Sequence, residues 1–365
     1  MDTENIMTST VPDICPELGT EVAISDIDKE LHKLWEQDEA RTNASLMNLV
    51  VYTEKRGGLL ENSRIINNLT RENACRAILV EIDREPDPSL RAWITAHCHL
   101  SHGAKSVCCE QISFLLTGRV PGRFRNTVFA HLNSDLPLTF WWQGELSDVF
   151  TERLASVMDR LIVDSSAWES VHESFSRIHE AVEGNTSLIV QDLAWTRCWH
   201  VRSGIAGLFD DVAAMTILGE LESVKIRFNK QNRNTALQLL AWLSVQAGWK
   251  LTGDFVFATK EGREIKAEMV AEDSGPPLGL VELRSENGVV RIEHQNDSPY
   301  LLREIVSGEY HVSSLSPADS ECSEELVAVQ LSRGGKNSLF LKILPTFLQL
   351  IGRECPTCGT SLIGK

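Results

Sequence analysis

No stretch of this chain reaches the roughly 18 consecutive apolar residues that a membrane span needs. The best candidate, Leu344 to Ile351, is broken by Pro345 and Gln349. Met1 to Thr20 has neither a basic n-region nor an apolar h-region, so no secretory signal is expected and the cytoplasm is the expected compartment. An excess of positive charge is missing as well. The 35 Lys and Arg residues stand against 51 Asp and Glu, a net charge of −16, and the acids are dispersed. Proteins that grip a phosphate backbone do so with Lys and Arg, which argues against nucleic acid as a partner. Several catalytic signatures are absent too. The chain has no Gly-x-Ser-x-Gly elbow for a nucleophilic serine, no Walker spacing and no Gly-x-Gly-x-x-Gly. The segment Ser332-Arg333-Gly334-Gly335-Lys336-Asn337-Ser338 reads as a turn rather than a phosphate cradle.

The chain does have the makings of a folded protein. It has 365 residues, enough for about two domains, and 42% of them are hydrophobic. With 23 Gly and 12 Pro it is neither collagen-like nor low in complexity. Nine cysteines are an odd number, and Cys75, Cys98 and Cys198 lie in apolar runs, so reduced, buried thiols are expected rather than a disulfide framework.

Apolar runs of strand length recur at 46–52, 76–83, 92–100, 138–142, 161–164, 188–191 and 224–228. Helical periods lie between them. Ser25 and Asp28 resemble a capping box before Ile27, Leu31, Leu34 and Trp35. Trp168, Val171, Phe175, Ile178 and Val182 share one face, as do Ala236, Leu239, Leu240, Leu243 and Ala247, the latter ending at Gly248. Strands alternating with helices indicate α/β. From 250 to 343 the alternation around Glu261-Gly262 and Asn287-Gly288 indicates antiparallel β hairpins. The expected architecture is a mixed α/β N-terminal domain, compatible with Rossmann-like layering, followed by an α+β domain with an antiparallel sheet. The expected boundaries are a flexible acidic lead-in over 1–24, domains over 25–183 and 184–345, and a tail over 346–365.

Cys355-x-x-Cys358 is half a zinc knuckle with no second half, so no metal is assigned. His97, Cys98, His99, His102, Cys108 and Cys109 are metal-capable but badly spaced, because alternate strand residues face opposite ways. Ser106 there reads as the cap of a helix. Asp159 to Ser165 places acids at the edges of a buried strand, where capping of the next helix is the expected role. Arg119, Arg123 and Arg125 form the best basic cluster and are the anchor of an alternative reading, a sugar-phosphate-binding α/β enzyme. A second alternative is a redox or metal sensor built on the cysteines. Trp141, Trp142, Trp195 and Trp199, with Arg197 and Arg202, have the composition that protein interfaces concentrate. They are the candidate partner-binding residues. Replacing Arg197 and Arg202 with Ala is expected to weaken binding and leave the fold intact.

Six blocks come in a familiar order: Arg71-Glu72-Asn73-Ala74-Cys75-Arg76, Val107-Cys108-Cys109-Glu110-Gln111-Ile112, Asp135 to Gly144, Asp159 to Ser165, Asp192-Leu193-Ala194-Trp195-Thr196-Arg197, and Leu240 to Trp249. In these blocks, which cover about residues 45 to 250, the chain resembles the glucose-6-phosphate dehydrogenase assembly protein family, OpcA. The resemblance implies a non-catalytic assembly factor and allosteric activator without a cofactor. Its implied partner is glucose-6-phosphate dehydrogenase, in the oxidative pentose phosphate pathway that produces NADPH. Some relatives are linked to thioredoxin-type control, which makes Cys108, Cys109, Cys355 and Cys358 the candidate redox residues. The acidic lead-in and the Cys-x-x-Cys tail depart from the family pattern.

Overall fold

A computed structural model describes residues 16–36, 41–43, 45–84, 87–101, 105–118, 121–296, 298–333, 335 and 338–353. Its strands and helices form two compact units. The first comprises residues up to Val163 with 177–190 and 328–334, and the second comprises 164–176, 191–327 and the residues from Gly335 on. Neither unit is one continuous stretch of chain, because strand and helix segments pass from one unit to the other and back.

The first unit is built on a nine-stranded sheet: β1 (Thr20–Val22), β2 (Arg41–Asn43), β3 (Asn48–Thr53), β4 (Arg76–Asp83), β5 (Leu90–Ser101), β6 (Lys105–Thr117), β7 (Leu138–Trp142), β8 (Arg160–Val163) and β9 (Ile189–Asp192). The spatial order is β1-β5-β6-β4-β3-β7-β8-β9, with β2 also on β6. From β6 to β8 the neighbours run parallel. All six residues of β3 are buried, as expected for a central parallel strand covered on both faces. Helices α1 (Ile27–Glu36), α2 (Gly58–Leu69), α3 (Pro121–Phe129) and α4 (Glu152–Ala155) connect these strands, and α5 (Val171–Gly184) leads to β9.

Two expectations are corrected here. Ser106 does not cap a helix: Cys108 to Leu116 are buried within β6, which has β4 on one side and β5 on the other. Order begins before Ser25, since β1 pairs with β5 and Leu18 is fully buried.

The second unit has helices α6 (Leu193–Thr196), α7 (Trp199–Leu208), α8 (Val212–Gly219) and α9 (Arg233–Ala247). Its sheet comprises β10 (Ser223–Asn229), β11 (Lys250–Gly253), β12 (Val256–Ala258), β13 (Glu264–Glu272), β14 (Leu278–Ser285), β15 (Gly288–His294), β16 (Tyr300–Ser307) and β17 (Tyr310–Pro317). The order is β11-β12-β13-β10-β14-β15-β16-β17. Only the β10/β13 pair is parallel; the hairpin at Asn287-Gly288 is formed as expected. Along β10, Val224, Ile226 and Phe228 are buried beside Leu283, Val281 and Leu278. The alternate residues form ion pairs on the other face, among them Lys225 with Glu268 and Arg227 with Glu293. Helix α9 ends as expected at Gly248, whose φ of 72° provides the left-handed cap that glycine adopts without strain. After Pro317 the expected sheet gives way to α10 (Ser323–Ser332) and α11 (Ser338–Ile351). The second puts Phe340 and Phe347 against Phe175.

Candidate functional site

An open parallel sheet binds ligands outside the carboxyl ends of its strands, where the strand order reverses. In the first unit that point lies between β3 and β7, since the next strand in the chain, β4, lies on the other side of β3. The α2 N-terminus opens here, and its backbone N–H groups could receive a phosphate. Its donors are already used. Glu81, on β4, accepts from Gly57 N at 3.0 Å and Leu59 N at 2.9 Å, and only 2% of Glu81 is exposed. Burial holds its carboxyl above the usual range, against the downward pull of these backbone donors. Gly58 is required where the helix meets the strand, because a Cβ there would lie 2.6 Å from Thr53 Cγ2.

Across the crevice Asn62 of α2 and Gln143, just after β7, exchange reciprocal amide hydrogen bonds of 3.0 and 2.7 Å. At its mouth Tyr52 donates to Glu54, and Arg84 bridges Glu54 and Asp148. Burial works against ionisation of Glu54, yet the Arg84 and Tyr52 bonds hold its pKa at about 2. A dinucleotide's pyrophosphate does not fit an N-terminus occupied by a carboxylate, and the glycine fingerprint is missing as well.

In the second unit the predicted Trp and Arg residues turn inward. Arg197 forms a two-pronged bond to Asp164, at 3.1 and 2.7 Å, and is 6% exposed. Burial opposes the charge on Asp164, but Arg197 keeps its carboxyl below the usual range. Asp192 is 1% exposed and caps α6 by accepting from Ala194 N. It also accepts from Ser165 N, Ser165 Oγ and Gln238 Nε2. Burial pushes its pKa up to about 6. Arg202 is also buried, with its guanidinium 3.3 Å from the centroid of the Trp195 ring. Asp319 accepts from His200 N and Val201 N at the start of α7, and burial pushes its pKa up to about 7.

Of the six candidate partner-binding residues, only Trp199 is exposed, at 44%. Trp141 and Trp142 are core residues of β7 in the first unit, and Trp142 stacks on Tyr52. Trp195, Arg197 and Arg202 lie inside the second. The five buried residues can only support a surface. The expectation that alanine at Arg197 and Arg202 spares the fold is corrected: removing Arg197 takes the ion-pair partner from the half-buried Asp164 carboxylate and leaves it only its Ser166 bonds.

The cysteine expectation also changes. Cys98 and Cys108, directly opposite on β5 and β6, are joined in a disulfide, so neither is the buried thiol that the composition suggests. Cys75, Cys109 and Cys198 are reduced and buried, and burial raises all three thiols. Cys355 and Cys358 lie outside the described residues, as does Arg119.

The residues that the sequence reading missed are those left in the open. Among the described residues, twelve large hydrophobics are exposed, and seven of them are on α7, α8, β16 and β17: Trp199, Val212, Met215, Tyr300, Tyr310, Val312 and Leu315. Helix α7 packs on β15 to β17 and α8 on β14 to β16. Tyr310 donates to Asp211 beside Val212, which ties the start of β17 to α8. Strand β17 ends the sheet order and is mostly exposed, with Leu315 at 63%, and Val212 of α8 is 80% exposed. No helix among the described residues is long and apolar enough to cross a membrane.

Comparison with known proteins gives two family matches. Residues 66–180 match the profile described as glucose-6-phosphate dehydrogenase subunit N-terminal domain, and residues 189–344 match its C-terminal domain. Among curated proteins, the OxPP cycle protein OpcA of Synechocystis sp. is 26% identical over 322 residues, covering 80% of this chain and 67% of the relative. That of Nostoc punctiforme is 26% identical over 314 residues, covering 76% and 65%. The chain thus spans about two thirds of the length of these relatives. Among solved structures, a 3-ketoreductase from Actinomadura kijaniata is 10% identical with a TM-score of 0.42, covering 84% of this chain and 89% of that one. An aldose-aldose oxidoreductase from Caulobacter crescentus is 11% identical with a TM-score of 0.44, covering 85% and 98%.

Proposed function

The chain belongs to the glucose-6-phosphate dehydrogenase assembly family, OpcA, and from that premise we propose that it is a non-catalytic factor that binds glucose-6-phosphate dehydrogenase and favours its active oligomer or conformation. It would act in the cytoplasm and support NADPH production by the oxidative pentose phosphate route. Such a factor works by binding the active state more tightly than the inactive one, since equal affinity for both would shift nothing. The observation that carries the reading is the exposed sheet edge of the second unit, where Tyr310 of β17 is tied to Asp211 beside the exposed Val212 and where Leu315 is exposed on the other face of the strand. An edge strand next to exposed aromatic and aliphatic side chains suits a protein partner, which can cover the side chains and pair with the strand. The non-catalytic half of the reading is supported by the first unit's crevice, which its own Glu81, Asn62 and Gln143 fill.

The test is NADPH formation by glucose-6-phosphate dehydrogenase from the same organism across glucose 6-phosphate concentrations, with and without this protein. A lowered half-saturation or a raised rate, saturating at a fixed ratio, is the expected result. Trp199→Ala combined with Leu315→Ser should weaken that effect by about tenfold or more in affinity with melting unchanged. Full activation by this variant would remove the edge as the docking surface, and no effect of the native protein would remove the activating role. The Cys98–Cys108 disulfide favours one addition, thiol control. A disulfide that persists in a reducing compartment is commonly redox-responsive, so the same assay run reduced and oxidised should differ. Identical curves would dismiss that control at this pair.

A further inference from the structure

In this acidic chain many arginines lie beside carboxylates: Arg64 at 2.7 Å from Glu17, Arg84 at 2.5 Å from Asp148, Arg91 at 2.9 Å from Glu21, and Arg291 at 2.5 Å from Glu304. Others in the first unit lack such a partner, and some of these, such as Arg160 and Arg177, are held by backbone carbonyls instead. Arg123, Arg125 and Arg153 have no carboxylate within 4 Å among the described residues. Two of these, Arg125 of α3 and Arg153 of α4, line one cavity of about 280 Å³ with Asn126 and Thr151. Buried Phe124 and Leu154 also line it. No acidic residue lines it.

The chemistry of these walls selects a ligand. Guanidinium groups present paired N–H donors that match the oxygens of a phosphate. Thr151 Oγ1 already accepts from Leu154 N, so its own proton is available to donate. The exposed Asn126 amide adds further donors. Phe124 and Leu154, each 1% exposed, form an apolar floor that suits carbon rather than a second charge. The volume lies just below the roughly 300–1,000 Å³ of sites for drug-sized ligands, so the ligand is small. A net charge of −16 repels anions in general, so two uncompensated arginines in one cavity create a local exception. We propose that the cavity between α3 and α4 binds the phosphate group of a small phosphate monoester through Arg125 and Arg153.

The test is ³¹P line broadening and titration calorimetry on the full chain. The probes are glycerol 3-phosphate and inorganic phosphate, with glycerol and sodium chloride of matched ionic strength as controls. Binding of glycerol 3-phosphate with a Kd of about 1 mM or tighter is expected. The double change Arg125→Ala and Arg153→Ala should weaken it at least about tenfold. Both side chains reach solvent, so the fold should survive, as circular dichroism would verify. Arg123→Ala, exposed but outside the cavity, should leave binding unchanged, which separates the site from a general effect of surface charge. Tighter binding of the ester than of inorganic phosphate would assign the ester as the source, and equal binding would assign the phosphate group alone. No binding of either probe would overturn the proposal. So would equal displacement by sodium chloride, or a double variant that binds as well as the native chain.

Discussion

The two units treat their ligand-facing ends in opposite ways. In the first, the strand-end crevice is closed from within: Glu81 occupies the α2 N-terminus and Asn62 bridges to Gln143. In the second, the polar groups turn inward while large apolar side chains stay outside on α7, α8 and β17. One carboxylate can thus fill the helix N-terminus at the strand ends of an α/β sheet, because an intramolecular anion satisfies the helix as well as a phosphate would. The apolar edge of the other unit needs a different explanation, since exposing Leu315 and Val212 gives up burial energy that folding alone would have kept.

The comparison can be broken most forcefully inside the second unit. Arg197→Ala leaves the half-buried Asp164 carboxylate with only its Ser166 bonds, and should destabilise the protein by about 3 kcal/mol, the lower end for a broken buried pair. Urea unfolding measures this, and a loss below about 1 kcal/mol would mean that the pair behaves as a surface salt bridge. In the first unit Glu81→Ala strands the N–H groups of Gly57 and Leu59, and a smaller loss of about 1–3 kcal/mol is expected. If inorganic phosphate raises melting more in that variant than in the native protein, the carboxylate does stand in for an anion. Melting unaffected by the substitution would refute that role.

The smallest effect is on pH. Asp319, at about 7, and Asp192, at about 6, have pKa values raised above those of an unfolded Asp. The native state therefore binds more protons than the unfolded one between about pH 4 and 7. Their contribution makes the second unit more stable as pH falls through this window, and it is lost as pH rises through the folded values. Glu54 has the opposite sign: its folded value of about 2 contributes stability at neutral pH that is lost as pH falls below the unfolded value. Asp319→Asn should flatten the melting-temperature slope between about pH 5 and 8, and an unchanged slope would show that Asp319 is not its source.

Much of the fold was legible in the sequence. Strand-length apolar runs predicted β3, β4, β7 and β8 to within two residues at each end, and Gly248 marked the end of α9. The misreadings have definite causes. Ser106 looked like a helix cap because a local pattern cannot show that β6 has strands on both sides. The segment after Pro317 lacks a clear period, since α10 is apolar around much of its circumference. The Trp and Arg cluster was read as surface because composition reports residue type and not exposure. Arg197 satisfies its charge with Asp164, 33 residues away.

The sequence by itself determined the family and, up to Pro317, most of the order of elements and the apolar positions, because periods of 2 and 3.6 residues and turn chemistry act over a few neighbours. Only the tertiary structure decided that Glu81 closes α2, that Cys98 meets Cys108 and that Trp199 stays exposed while Trp195 is covered by Arg202. Each of these depends on which strands and helices become neighbours. That choice is made by burying the whole core at once, and a buried charge or donor then takes whichever partner the packing brings within reach.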